Sequence, residues 1–241
     1  MKIALEKERE LNELRSRFIS MTSHEFRTPL TSIFTSSELL DKYGSELTED
    51  EKKKSLLRIQ KNVQQMTGLL NDILLLGKSD SGSLKLKLEP VDIRKLCESI
   101  IEETNVYTAF KTKHKLILDI EKFEGRVLLD FKLIKQSLEN LISNAIKYSG
   151  EGTAVQFKVS FSKRFITFRV KDEGIGIPED DIHKLFEQFY RASNTGNISG
   201  TGLGLAIVKR AIELHDGTIR VISKPGEGTE FIATVPLIKV V

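Results

Sequence analysis

In DFKLIKQSLENLISNAIKYSG (130–150), Asn140, Asn144, Lys147 and Tyr148 follow one another at spacings of four, three and one. Residues three and four apart stack on a helix surface, so this spacing gathers the four on one face. The core-facing stripe beside them is Ile134, Leu138, Leu141, Ile142 and Ala145. Two amide oxygens can ligate a hard cation, a lysine can partner a phosphate, and a tyrosine offers an aromatic platform. Three glycine clusters accompany this helix: DEGIGIP (172–178), GTGLGL (200–205) and PGEGTEF (225–231). The first two open onto helices, where backbone N–H groups and the helix dipole attract phosphate. The third lies between two strands and is expected to be a hairpin turn. No GxxxxGK[ST] loop or dinucleotide fingerprint is present, which excludes those two nucleotide-binding patterns. A fifth stretch, SMTSHEFRTPLTSI (20–33), places His24 beside Glu25 inside a helical pattern, where a carboxylate can tune an imidazole and take its proton. His114, His183 and His215 have no such company and are read as inert.

These groups need two kinds of scaffold. Leu11, Leu14, Phe18, Met21, Glu25 and Thr28 alternate by three and four, a heptad seam that is apolar first and then polar, with Glu25 and Thr28 facing inward. A second seam runs Leu56, Ile59, Val63, Met66, Leu70 and Ile73, entered through KYGSELTEDEKK with Thr48 as N-cap. A hairpin of two such helices carries more apolar surface than it can cover alone, and pairing into a four-helix bundle covers it. Pro29 removes a backbone hydrogen bond from the first helix, where a bend is expected to let the helix above shift. GKSDSGSLKL (77–86) marks a domain boundary. Beyond it, LKLKLEPVDI, KLILDI, RVLLD, TAVQFKVSF, RFITFRVKD, GTIRVIS and GTEFIATV read as strands. Helices are expected near 92–106, 131–147, 179–189 and 203–215. Adjacent strands such as 153–161 and 164–172 imply hairpins, so the fold class is α+β with a mixed sheet. The expected domains are 1–79, a coiled-coil lead-in and dimerising hairpin, and 84–241.

Lys and Arg number 37 against 34 Asp and Glu, a net charge of +3 with no basic stripe interleaved with aromatics, so nucleic acid is not an expected partner. Cys97 is the single cysteine, which rules out an intrachain disulfide or a cysteine-based zinc site and fits a reducing compartment. No apolar run approaches the roughly 20 residues of a membrane helix. The chain itself therefore reads as cytoplasmic, and a sensor or membrane portion upstream is compatible with it.

SHEFRTPL, ENLISNAIKYS, DEGIGIP, LFEQFYR and GTGLGLAIVK, in this order, resemble the five sequence boxes of a two-component sensor histidine kinase. The resemblance extends from about residue 11 to 235. It implies a homodimeric helical hairpin that forms a four-helix bundle, followed by an α/β sandwich ATP-binding domain shared with type II topoisomerases, mismatch-repair ATPases and a heat-shock chaperone. On this resemblance His24 is the phosphoacceptor, Glu25 accepts its imidazole proton, and Thr28 positions a water for phosphatase action. Asn144 ligates Mg2+ with support from Asn140, and Lys147 faces the ATP phosphates. Tyr148 packs on adenine, Asp172 accepts from its exocyclic amine, and Gly174 and Gly176 shape the base pocket. Arg191, after the aromatic pair Phe186 and Phe189, steadies γ-phosphate charge. Gly200, Thr201, Gly202, Leu203 and Gly204 form the box that lets 193–200 close as a lid. Phe26 and Met21 depart mildly from the family pattern.

The implied partner is the receiver domain of a separate response regulator, because no receiver pattern occurs in this chain. An ATPase of the same fold is the first rival. Its water-activating glutamate would stand four residues before the magnesium asparagine, where this chain has Asn140. Glu139 is about 100° around the helix and points elsewhere. A nucleotide-binding scaffold without activity is the second rival, and every motif position being filled argues against it.

Overall fold

In a computed structural model, described for the backbone of residues 2–80, 83–108, 114–196, 198 and 200–240, the chain divides into two units, Met1–Lys78 and Ser79–Val241. Side chains are described for 19–23, 25–78, 83–104, 114–196, 198 and 200–240. The first unit is a helical hairpin, α1 (Lys2–Tyr43) and α2 (Glu49–Asp80). Thr48 begins α2 as a capping box: its Oγ1 accepts from Glu51 N at 3.3 Å, while its own N donates to Glu51 Oε2 at 2.9 Å. Glu49, Asp50 and Glu51 in the first turn complement the helix dipole. Pro29 is buried inside α1, which continues as helix to Tyr43.

The face that α2 buries lies one residue away from the apolar seam read in the sequence. Ser55, Leu69 and Leu76 are buried, and Asn62, on the same seven-residue row, donates to Ser32 Oγ of α1 at 3.1 Å. Ile59, Met66 and Ile73 are half-buried. Leu56, Val63 and Leu70 remain 53%, 49% and 49% exposed, which leaves an apolar stripe uncovered within one chain.

The second unit runs β1 (Glu89–Val91), α3 (Ile93–Thr108), β2 (Lys115–Ile120), β3 (Arg126–Leu129), α4 (Phe131–Tyr148), β4 (Ala154–Phe161), β5 (Phe165–Lys171), α5 (Glu179–Ile182), α6 (Gly204–Leu214), β6 (Thr218–Lys224), β7 (Gly228–Pro236) and β8 (Lys239–Val240). Its large sheet has the order β2-β4-β5-β7-β6, with β2 parallel to β4 and the other pairs antiparallel. A small antiparallel sheet, β1-β3-β8, adds Val91, Val127 and Leu129 to the same core. Alternation on the large sheet sends Val155, Phe157, Val159, Ile166, Phe168, Val170, Phe231, Ala233 and Val235 into the core. There they meet Leu96, Cys97 and Ile100 of α3, the stripe Ile134, Leu138, Leu141, Ile142 and Ala145 of α4, and Val208 and Ile212 of α6. The result is one helical layer on one mixed sheet.

Three elements differ from the expectation. Only 89–91 of the 84–93 stretch is strand: Pro90 has no N–H to offer, and β1 pairs with β3 alone. The helix expected over 179–189 stops at Ile182, after which turns lead to Phe189 at φ 65°. The C-terminal pair Lys239–Val240 forms an eighth strand against Arg126 and Val127, too short for alternation to announce.

Candidate functional site

Helix α4 organises the second unit. Asp130 caps it, with Oδ1 accepting from Leu133 N at 3.1 Å and Oδ2 accepting from Lys87 N at 2.9 Å. The Asp130 N–H in turn donates to Nε2 of buried His215 at 2.9 Å, and His215 Nδ1 lies 2.7 Å from Ala211 O. An amide donor at Nε2 and a carbonyl at Nδ1 fix the Nδ1–H tautomer. His215, read as inert from the sequence, is thus a structural joint between α4 and α6.

Along α4, Asn140, Asn144, Lys147 and Tyr148 are all half-buried beside the core stripe. Lys147 Nζ donates to Tyr148 Oη at 3.3 Å and sits 4.8 Å from that ring's centre. Burial pushes the Tyr148 phenol above its ordinary pKa, and the Arg191 charge opposes this. Asn144 has no side-chain hydrogen bond among the described residues, which leaves its carbonyl oxygen available. The Asn140 amide reaches across to Gly204 O at 3.5 Å, at the start of α6.

The first glycine loop closes against the end of α4. Tyr148 O accepts from Ile175 N at 3.1 Å, and a Cβ on Gly174 would run into that same carbonyl oxygen. Gly176 adopts φ +65° against the backbone of Lys224, a position only glycine fills without strain. Asp172 lies at the bottom, 4% exposed, with Oδ1 accepting from Gly174 N at 2.8 Å and from Thr229 N at 3.1 Å. Burial raises its pKa, and the two amides pull it back down. Its Oδ2 takes no hydrogen bond among the described residues.

PGEGTEF is the β6–β7 turn, yet it also belongs to this site. A Cβ on Gly228 would strike the Asp172 backbone, and Thr229 Oγ1 lies 2.9 Å from Ser223 Oγ, which itself receives Ile177 N at 2.9 Å. The sequence reading missed Thr229. The available signal was its place directly after the third glycine cluster.

A loop described for residues 190–196, 198 and 200–201 runs beside these residues. Its ends are tied together by Phe189 N donating to Gly202 O at 3.0 Å, with Phe189 and Gly202 both at positive φ, 65° and 69°. Arg191 sends Nη2 to Ile198 O and to Thr195 Oγ1 at 3.4 Å, while its Nε is buried without an acceptor. Asn194 Nδ2 donates to Gly176 O at 2.9 Å, joining loop and pocket. Gly200 stands over Lys147, since a Cβ there would lie 2.5 Å from Nζ. Thr201 Oγ1 accepts from Leu203 N at 3.2 Å, and Leu203 is 1% exposed, so it serves the core at the start of α6. Phe186 packs edge-on against Phe231 at 6.5 Å between centroids and supports the site from beneath.

The second unit therefore gathers two cations, Lys147 and Arg191, an unengaged amide, a buried acceptor and glycine-lined backbone around the end of α4. The two cations, with the Arg191 Nε that has no acceptor, suit a phosphate-bearing ligand. Among the described residues no group of three or more His, Cys, Asp or Glu could hold a metal. Amide oxygens plus substrate phosphates are the donor set that suits Mg2+. In the hairpin, Glu25 is half-buried, whereas Thr28, expected to face inward, is exposed within a single chain. His24 lies in α1, and its side chain is outside the described residues.

Two family models match in the same order as these two sites. Residues 14–82 match the His Kinase A (phospho-acceptor) domain, and residues 129–239 match the histidine kinase-, DNA gyrase B-, and HSP90-like ATPase. The chain belongs to the two-component sensor histidine kinases. It is 36% identical over 231 residues to the sensor histidine kinase WalK of Bacillus subtilis (strain 168), covering 94% of this chain and 37% of that one. It is 35% identical over 226 residues to a sensor protein kinase WalK of Staphylococcus aureus, covering 92% and 54%. The chain thus spans between about a third and about half the length of these relatives. Among solved structures, full-length ShkA in complex with AMPPNP superposes with a TM-score of 0.68 at 28% identity, covering 90% of this chain and 45% of that one. The histidine kinase AdeS of Acinetobacter baumannii gives 0.66 at 26%, covering 89% and 98%. The ATPase domain of this family member is an ATP-binding domain, and the helical hairpin is its phosphoacceptor domain. Among the described residues no helix is long and apolar enough to cross a membrane.

Proposed function

We propose that the chain is an ATP-dependent autokinase that phosphorylates its own His24 and passes the phosphoryl group to an aspartate on the receiver domain of a separate response regulator. The observation that carries this is the pairing of a buried acceptor, Asp172, with Lys147, Arg191 and Asn144 around one glycine-walled site in a chain that also bears a His-Glu pair on its phosphoacceptor helix. Residues through 79 supply the acceptor, and 84–241 hold the ATP.

The adenine amine donates to Asp172 Oδ2, and Gly174 and Gly176 leave room for the ring beside Tyr148. Lys147 and Arg191 neutralise phosphate charge, with amides of Gly200, Gly202 and Gly204 nearby. Asn144, with help from Asn140, would hold Mg2+, which would supply further neutralising charge to the phosphates. Glu25 takes the proton from one imidazole nitrogen of His24 while the other attacks the γ-phosphorus. An N–P bond forms, the bond from phosphorus to the ADP oxygen breaks, and ADP leaves. This division of labour suits phosphoryl transfer, where positioning and charge neutralisation outweigh covalent help. Thr28, exposed one turn beyond His24, positions water when the phosphoryl group is removed from the regulator. A homodimer covers the Leu56, Val63 and Leu70 stripe.

Hydrolysis of ATP by water is the weaker reading. Glu139 is held by Lys135 at 3.6 Å, and that lysine is bound to Glu103 of α3 at 2.7 Å, so the carboxylate is drawn toward α3. At the position suited to a base stands the neutral Asn140. Incubation with γ-labelled ATP and Mg2+ should place a base-stable, acid-labile label on the protein. His24→Ala should carry no label, and Asn144→Ala should stay dimeric yet unlabelled. Label persisting on the His24→Ala protein would refute the assignment.

A further inference from the structure

Three donors converge on one buried carboxylate outside the groups already assigned. Asp181, 7% exposed on the short helix α5, accepts from Tyr190 Oη at 2.6 Å, from Ser193 N at 2.7 Å and from Ser193 Oγ at 2.8 Å. Tyr190 and Ser193 bracket Arg191 and buried Ala192, so a single side chain grips the backbone on both sides of the arginine. From that gripped segment the Arg191 side chain enters the loop and meets Thr195 Oγ1 and Ile198 O. Further ties among those described run from Phe189 N to Gly202 O and from Tyr190 N to Glu187 O at its base, from Leu203 N to Thr201 Oγ1 at its end, and from Asn194 Nδ2 to Gly176 O. Among the described residues, the Asp181 side chain is the hydrogen-bonded tie from α5 to the start of the loop.

We propose that Asp181 is a positioning residue for phosphoryl transfer: it clamps the start of the loop so that Arg191 is aimed at the transferring group. This rests on the nucleotide reading above, in which Arg191 meets developing charge. A group that acts only on transition-state charge changes kcat and leaves substrate binding nearly alone. The clamp needs shape and hydrogen bonding, not negative charge. An asparagine can remake all three bonds by turning its oxygen to Ser193 N and Oγ and donating its NH2 to the Tyr190 oxygen.

The experiment is initial-rate autophosphorylation of the full chain with labelled ATP, reading kcat, the KM for ATP and the thermal midpoint together. Asp181→Ala should lower kcat by about tenfold to a hundredfold, the range for a misplaced catalytic group, with KM within about threefold. Asp181→Asn should restore most of that loss. In an Arg191→Ala background, Asp181→Ala should cost little more, as expected for two residues acting as one unit. Should Asp181→Ala fold poorly, the pair Tyr190→Phe with Ser193→Ala removes two of the three bonds and should reproduce the fall in kcat. An unchanged kcat, an asparagine variant as poor as the alanine, or full additivity with Arg191→Ala would each overturn the inference while leaving the kinase reading intact. A wild-type protein that takes no label would overturn that reading and this one with it.

Discussion

Asp172→Asn separates binding from folding at the base pocket. The carboxylate already gives Oδ1 to two backbone amides, Gly174 at 2.8 Å and Thr229 at 3.1 Å. An asparagine with its oxygen in that place keeps both bonds and presents NH2 where Oδ2 stood. Because burial raises the pKa of Asp172, its charged form is disfavoured in the folded protein, and a neutral amide relieves that cost. The thermal midpoint should therefore hold or rise. Binding should suffer, since the adenine amine would meet a donor in place of a charged acceptor. A hydrogen bond to a charged group contributes about 1.5–3 kcal/mol. That corresponds to roughly tenfold to a hundredfold in Kd for ATP. Calorimetric titration with ATP and with GTP tests this directly, because the 6-carbonyl of guanine accepts from an NH2 group. The ratio of ATP to GTP affinity should fall by at least the loss seen with ATP alone. Wild-type ATP affinity in a variant of unchanged midpoint would refute the reasoning, since it would mean Asp172 does not meet the amine.

Tyr190→Phe should reveal itself in alkali. Asp181 holds the phenol proton and pushes its pKa up to about 12, so the bond's stabilisation is complete below the ordinary value near 10 and is lost as pH rises toward 12. Urea titrations should show a wild-type advantage that is flat below pH 10 and shrinks above it, and an advantage independent of pH would count against the bond. Val63→Glu should weaken dimerisation, because each copy covers a side chain now 49% exposed. At about 1 kcal/mol per half side chain, doubled by two-fold symmetry, Kd should rise about thirtyfold or more in sedimentation equilibrium. His215→Ala leaves the buried Asp130 N–H without its acceptor. A loss of about 1–3 kcal/mol should lower the second unit's midpoint by roughly 2–12 °C. An unshifted midpoint would mean the joint is not structural.

The grouping of Asn140, Asn144, Lys147 and Tyr148 on α4 was legible because they obey helical spacing, and the close backbone approaches were legible because glycines advertise them. Helix α4 followed from periodicity in the same way, and the mixed sheet followed from the short connections between adjacent strands, whereas the strand order β2-β4-β5-β7-β6 was not read from the sequence. The end of α5 was not legible. LFEQFYR has helix-forming composition, but Asp181 accepts hydrogen bonds from residues nine and twelve positions later, and Phe189 turns to positive φ. Tertiary bonds of that range override local propensity. Thr229 was hidden because it acts on Asp172 through its backbone amide, which any residue type possesses. The row that α2 buries within one chain was not legible for a related reason. Polar Ser55 and Asn62 occupy positions on it, so a count of apolar residues settles on Leu56, Val63 and Leu70, the row that a single chain leaves exposed.

The joint at the far end of α4 explains why the glycine loop sits where it does. Asp130 and His215 tie the N-terminus of α4 to the C-terminus of α6, so the two helices run antiparallel from a common point. Asn140 lies ten residues along α4 from that point, about 15 Å at helical rise, and Gly204 lies eleven residues back along α6, about 16.5 Å. The near match places Gly204 opposite Asn140, where the amide meets Gly204 O at 3.5 Å. A Cβ on Gly204 would make ordinary contact with the Asn140 side chain at 3.5 Å, so the two helices lie close together at this point. Lys87, the residue that leads from the linker into β1, is bonded to the same Asp130 carboxylate. The helices and the linker are thereby one rigid frame within the second unit. Onto this frame the Asp181 carboxylate ties the start of the segment that carries Arg191, and the Phe189 N to Gly202 O bond joins that segment's two ends.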